Sequence, residues 1–274
     1  AQGWPYFTEH LVLATPDNGV ATAIYAACKA TVKVGDGKEI TLHEETNYPF
    51  EEGIAFTVST DEKVAFPFYL RIPSWTQKAE VRVNGKKVSA APVAGKYLCI
   101  NREWANGDRV ELTLPMSLSM RTWQVNKNSV SVDYGPLTLS LKIAEKYVEK
   151  DSRETAIGDS KWQKGADPQK WPTTEIYPDS PWNYSLVLDK KEPLKNFKVI
   201  RKSWPADNYP FTVASVPLEV KAIGRPVPEW KIDETGLCGV LPEEDAVKGD
   251  KEEITLIPMG AARLRISAFP NTKE

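Results

Sequence analysis

The stretch that most constrains the fold is Val64–Trp75, VAFPFYLRIPSW. Its centre, Phe66 to Ile72, carries Phe, Tyr, Leu and Ile with little polar relief, and Pro73 stops it. So apolar a run, too short for an ordinary globular helix, predicts a strand buried on both faces. Downstream, Val81 and Val83 alternate with charge, and Asn84-Gly85 supplies the positive φ angles of a tight hairpin. Buried strand, Pro-Ser-Trp corner and polar-faced hairpin together predict a β-sandwich.

The period of two runs through most of the chain. Val32 and Val34 face Ile40 and Leu42 across Gly35-Asp36-Gly37, and Ile54, Phe56 and Val58 alternate next. Tyr97 to Ile100, then Val110, Leu112 and Leu114 after Asn106-Gly107, continue the pattern up to Leu137–Ile143. Strands resume at Trp182–Leu188, Phe197–Ile200, Phe211–Val213 and Leu218–Ala222, and Ile254–Ile257 and Arg263–Phe269 read as a closing hairpin. Only Trp4–Thr15 reads as a helix: Trp4, Phe7, Leu11 and Ala14 share a stripe, Pro5 suits a first turn and Pro16 ends the run. The expected fold is all-β: two β-sandwich-like domains with one short N-terminal helix. Residues 1–16 form the helical tail, 17–145 the first sandwich, 146–179 an aromatic-rich ordered connector and 180–274 a second, smaller β domain.

Composition narrows the function classes. The 35 Lys and Arg against 37 Asp and Glu give a net charge of −2, mixed along the chain, so neither nucleic acid nor an anionic membrane is an expected partner. No apolar run approaches the ~20 residues of a spanning helix. The opening Ala1–Pro5 does not read as a signal peptide and lacks an initiator Met, so the expectation is a processed product or an excised piece.

Catalytic signatures are scarce. The only His are His10 and His43, with no CxxC, HxH or HExxH spacing, and both read as solvated or structural. Cys28, Cys99 and Cys238 lie far apart; Cys28 and Cys99, in strand-like contexts, read as small buried hydrophobes. The adjacent acids Glu44-Glu45, Glu51-Glu52, Glu243-Glu244 and Glu252-Glu253 point to opposite faces of a strand and read as solvated surface. Asp133, set among apolar residues, suits either a turn or a site. Asn183-Tyr-Ser185 matches a glycosylation sequon. The Trp residues, including Trp162, Trp171, Trp182 and Trp204, serve either as packing or as a stacking platform for sugars.

Several segments carry a family resemblance: YLRIPSW (69–75), VRVNGK (81–86), INREWANGDRVELTLPM (100–116), DYGPLTLSL (133–141), YPDSPWNYSL (177–186) and EEITLIPMGAARLRISAFP (252–270). In this order they resemble the β region of glycoside hydrolase family 127, the β-L-arabinofuranosidases and their relatives. The resemblance implies an (α/α) barrel ahead of these strands, holding a zinc-bound cysteine nucleophile and a glutamate acid/base. None of the three Cys matches that nucleophile, so no catalytic or metal residue is carried over and no cofactor is expected in this chain; zinc is expected only in the barrel. Residues 1–15 then resemble the tail of the last barrel helix, placing Trp4 and Tyr6 near its active-site end. The expectation is a non-catalytic β scaffold for an upstream barrel of a bacterial enzyme of plant polysaccharide degradation, periplasmic or secreted. The alternative is a carbohydrate-binding module that contacts oligosaccharide through Trp4, Tyr6, Trp171 and Trp182.

Overall fold

The computed structural model describes residues 3–151, 167, 169–170, 172–243 and 249–274. They form an almost all-β protein with one short α-helix, as the two-residue period requires. The chain divides into two compact units, residues 1–118 with 134–137, and residues 119–133 with 138–274.

The first unit opens with helix α1 (Gly3–Glu9), followed by β1 (Val12–Ala14) and β2 (Val20–Thr22). Then come β3 (Cys28–Val34), β4 (Lys38–Thr46), β5 (Gly53–Ser59) and β6 (Val64–Arg71). β7 (Glu80–Val83), β8 (Lys86–Lys87), β9 (Tyr97–Trp104) and β10 (Arg109–Thr113) complete it. One sheet has four strands in the order β1-β2-β6-β9, the other six in the order β3-β4-β5-β10-β7-β8. Their inner faces share one core, in which Phe56 of β5 meets Phe68 of β6 edge-on at 5.4 Å. Trp104, fully buried, stacks on Phe66 at 5.6 Å and donates its indole N–H to the Phe66 carbonyl at 3.0 Å. At the Asn84-Gly85 hairpin both residues hold positive φ, 50° and 76°, the geometry that pair of residues predicts.

The second unit holds most of β11 (Leu118–Trp123) and β12 (Ser129–Tyr134), then β13 (Leu137–Leu141), β14 (Glu145–Lys150) and β15 (Thr173–Pro178). It continues through β16 (Tyr184–Leu188), β17 (Lys198–Arg201), β18 (Leu218–Pro226), β19 (Glu252–Pro258) and β20 (Asn271–Lys273). Seven of these follow the order β11-β12-β13-β19-β18-β16-β20, with β17 beside β18; β14 and β15 form a separate ribbon.

Several expectations need correction. The helix stops at Glu9, not Thr15. The Thr8 hydroxyl bonds back to the Trp4 and Pro5 carbonyls and His10 reaches the Tyr6 carbonyl, while Leu11 turns inward and residues 12–14 pair with β2. Val130, Val132 and Leu139–Leu141, assigned to the first sandwich, belong to the second unit, because β13 pairs with β19. Arg263–Phe269 is not the return strand of a hairpin. After a 3-10 turn at Met259–Ala261 this segment bonds to Val130 and Leu141, and β20 then runs parallel to β16. Phe211–Val213 is likewise not a strand. Finally, β6 is not buried on both faces: Val64, Phe66, Phe68 and Leu70 are buried, while Ala65 is exposed and Pro67, Tyr69 and Arg71 are half-exposed.

Candidate functional site

That last departure identifies the site. Alternation along β1, β2, β6 and β9 sends Val20, Phe68 and Ile100, which are register neighbours, into the core. The opposite row across the same four strands is Leu13, Ala21, Tyr69 and Cys99. Beside it Arg71 pairs with Tyr97, and Arg71 is engaged through Nε on the Ala23 carbonyl at 2.5 Å. The row Leu13, Ala21, Tyr69 and Cys99 itself carries no charge, and Leu13 is 38% and the neighbouring Tyr97 48% exposed.

A hollow of about 550 Å³ lies on this face, lined by Thr15, Pro16, Asp17, Ala21, Tyr69 and Tyr97. The Tyr69 hydroxyl donates to Asp17 Oδ2 at 2.6 Å. The Thr15 and Tyr69 hydroxyls hold the Asp17 carboxyl below its ordinary pKa, and the same carboxylate, with Cys99, raises the Tyr69 phenol. The polar atoms at the rim are thus paired with each other, leaving the aromatic faces open.

The outer face of the six-stranded sheet has the opposite character. One cross-strand row reads Lys29, His43, Thr57 and Arg109, and another reads Glu45, Ala55, Glu111 and Arg82. Arg109 bridges Glu45 at 3.2 Å and Glu111 at 3.6 Å. Such a face is at home in water. One sandwich thus presents a charged outer face and another whose central row, Leu13, Ala21, Tyr69 and Cys99, is uncharged and flanked by Arg71, Asn101 and Glu103, and exposed apolar surface marks interaction sites.

Of the aromatic residues singled out in the sequence, Trp4 and Tyr6 stand on α1, 67% and 68% exposed, with Trp4 edge-on to Phe7 at 5.7 Å. Trp182 belongs to the second unit, half-buried, with its ring 5.2 Å from that of Trp230. Trp204 donates its N–H to Asn208 at 2.7 Å. Trp162 and Trp171 lie outside the described residues. In the Asn183 sequon the side-chain amide donates to the Val227 and Trp230 carbonyls. Asp133 is buried in a bidentate pair with Arg121 at 2.7 and 2.9 Å and accepts the Thr138 hydroxyl, a structural arrangement.

Neither Cys28 nor Cys99 is the buried hydrophobe expected. Cys99 and Cys238 are exposed, and half-buried Cys28 directs its thiol to Glu44 at 3.8 Å. Burial, foremost, and the neighbouring Glu44 carboxyl push the Cys28 thiol up to about 11, the wrong direction for a nucleophile or metal-bound thiolate. Among the described residues no three His, Cys, Asp or Glu side chains converge on one point. Among the described residues, the Cys28 surroundings do not fit a zinc–thiolate centre.

Residues 19–116 match the model of the β-L-arabinofuranosidase GH127 middle domain. Among solved structures, the chain is similar to a GH127 β-L-arabinofuranosidase from Geobacillus stearothermophilus T6. They share 21% identity at a TM-score of 0.62, over 97% of this chain and 35% of that one. It is similar also to a glycoside hydrolase, with 22% identity, TM-score 0.60, and 93% and 36% of the two chains covered. The GH127 β-arabinofuranosidase BT3674 gives 22%, 0.59, 94% and 36%. No curated protein matches the chain. The chain thus spans about a third of the length of these structures, and its resemblance is to the family 127 β region.

Proposed function

We propose that this chain, a family 127-like β region, is the non-catalytic support of a glycoside hydrolase of the arabinofuranosidase type. In this reading a helical catalytic domain docks on the outer face of β1-β2-β6-β9, and the zinc and nucleophilic cysteine reside in that domain. The observation that carries it is the uncharged outer row Leu13, Ala21, Tyr69 and Cys99 across β1-β2-β6-β9, which is left uncovered, with Leu13 38% exposed. Exposed Trp4, Phe7 and Leu13 suit the same kind of apolar contact.

The test is turnover of aryl β-L-arabinofuranosides together with bound-zinc analysis, on this chain alone and joined to its helical domain. The expected result is neither property in the chain alone and both in the joined protein. Turnover by the chain alone, abolished by Cys28→Ser, Cys99→Ser or Cys238→Ser, contradicts the proposal. Titration of the isolated chain with arabinose-containing oligosaccharides separates a support from a binding module: saturable binding, lost in Trp4→Ala, favours the module.

A further inference from the structure

Among the described residues of the first unit, Glu44 is the one acidic or basic residue that is buried. It lies on β4 with its side chain inside the sandwich, 1% exposed, between its register partners Cys28 of β3 and Phe56 of β5. One carboxyl oxygen, Oε2, accepts the Cys28 thiol at 3.8 Å, and the carboxyl also accepts the Ala26 backbone N–H. The other, Oε1, is enclosed and has no hydrogen-bond partner.

Residues 23–27 cross from β2 in one sheet to β3 in the other, and Ala26 within them donates its backbone N–H to this carboxyl. The crossover is held by several ties. Ala23 and Ile24 N–H both bond to the Leu11 carbonyl, Arg71 Nε to the Ala23 carbonyl, and the Tyr25 hydroxyl to the Arg71 carbonyl at 2.6 Å. Ala26 is held to Glu44 itself. We propose that Glu44 is a proton-operated latch: protonated, it seals the 23–27 crossover against the sandwich, and on ionisation it releases it.

The groups facing the carboxyl determine this behaviour. From β3 comes the neutral Cys28 thiol, from β5 the apolar Phe56, and from the crossover Tyr25, whose phenol burial holds un-ionised. Tyr48 and Arg71 act on Tyr25, and the Arg71 guanidinium sits 5.9 Å from its ring centre. No cation among the described residues pairs with Glu44. A neutral acid tolerates one unpaired oxygen, whereas an ionised carboxylate enclosed without a counter-charge does not. Burial raises the carboxyl to about 8, against the smaller opposing effects of Ala26 and Cys28. Opening exposes Glu44 to water and returns it to the ordinary carboxylate range. The closed state is therefore favoured at low pH and loses its advantage as pH rises towards 8.

Hydrogen exchange on the full chain between pH 6 and 7.5, expressed as protection factors, reads the latch. Protection at Ala23–Ala26 is expected to fall about tenfold per pH unit in the wild type and to stay flat in Glu44→Gln, while β18 and β19 do not change. Carbon-detected titration of the wild-type Glu44 carboxyl, which needs no variant, is expected to give a midpoint well above the ordinary carboxylate range. A flat wild-type profile, an equal slope in Glu44→Gln, or a carboxyl titrating in the ordinary range overturns the proposal.

Discussion

Trp104 shows how much one side chain contributes in a sandwich of this size. Its ring packs against Phe66 and Phe68, and its buried N–H is satisfied by the Phe66 carbonyl. Trp104→Ala is expected to cost about 3–5 kcal/mol in urea unfolding, through the cavity and the lost hydrogen bond together. In the second unit Glu219 accepts Lys142 and Lys202 at 2.7 and 2.6 Å. Burial alone would raise its carboxyl, but the two lysines outweigh this and hold it below the ordinary range. A depressed carboxyl stabilises the fold above its unfolded pKa and loses that contribution as pH falls through the folded one. The thermal-stability gap between wild type and Glu219→Gln should therefore be widest near neutrality and close as pH falls towards 3. A gap that widened with acid would contradict the pairing. Glu44 was misread in the sequence because it stands beside Glu45 as a surface acid would. The period of two itself required one of the pair to point inward.

At the scale of the element, turns were more legible than ends. Asn84-Gly85 is encoded locally, and the structure adds a tertiary role. Asn84 donates to Asp108 at 2.7 Å and accepts the Arg109 N–H at 2.8 Å, tying the turn to the start of β10. Asn84→Ala should cost about 1–3 kcal/mol, from two lost hydrogen bonds and an alanine at positive φ. Chemical denaturation checks it, and a neutral effect would show the tie to be dispensable. The helix was overextended because Leu11 and Ala14 prolong the stripe of Trp4 and Phe7. No acid in the first turn or base in the last supports the helix, and pairing with β2 takes residues 12–14. Local pattern cannot weigh a helix against a strand whose partner is distant in sequence.

For the whole molecule, the all-β class and the ordered family segments were legible; the division between units was not. β12 and β13 follow β11 after short turns and read as a continuation of the first sandwich. Their allegiance is set by β19, more than a hundred residues later. The outer row of β6 reads as buried in the sequence for a physical reason: Pro67 and Tyr69 are weakly polar, and a sequence states the polarity of a face without stating whether anything lies against it. The central claim is that a helical domain covers Leu13, Ala21, Tyr69 and Tyr97. Hydrogen exchange of this chain, with and without its separately produced helical domain, tests it most directly. The account predicts new protection in residues 12–22, 64–71 and 97–104, with β3 and β4 unchanged and the effect lost in Tyr69→Glu. Protection on the charged face of β3 and β4 instead, or none on either face with both domains folded, would contradict it.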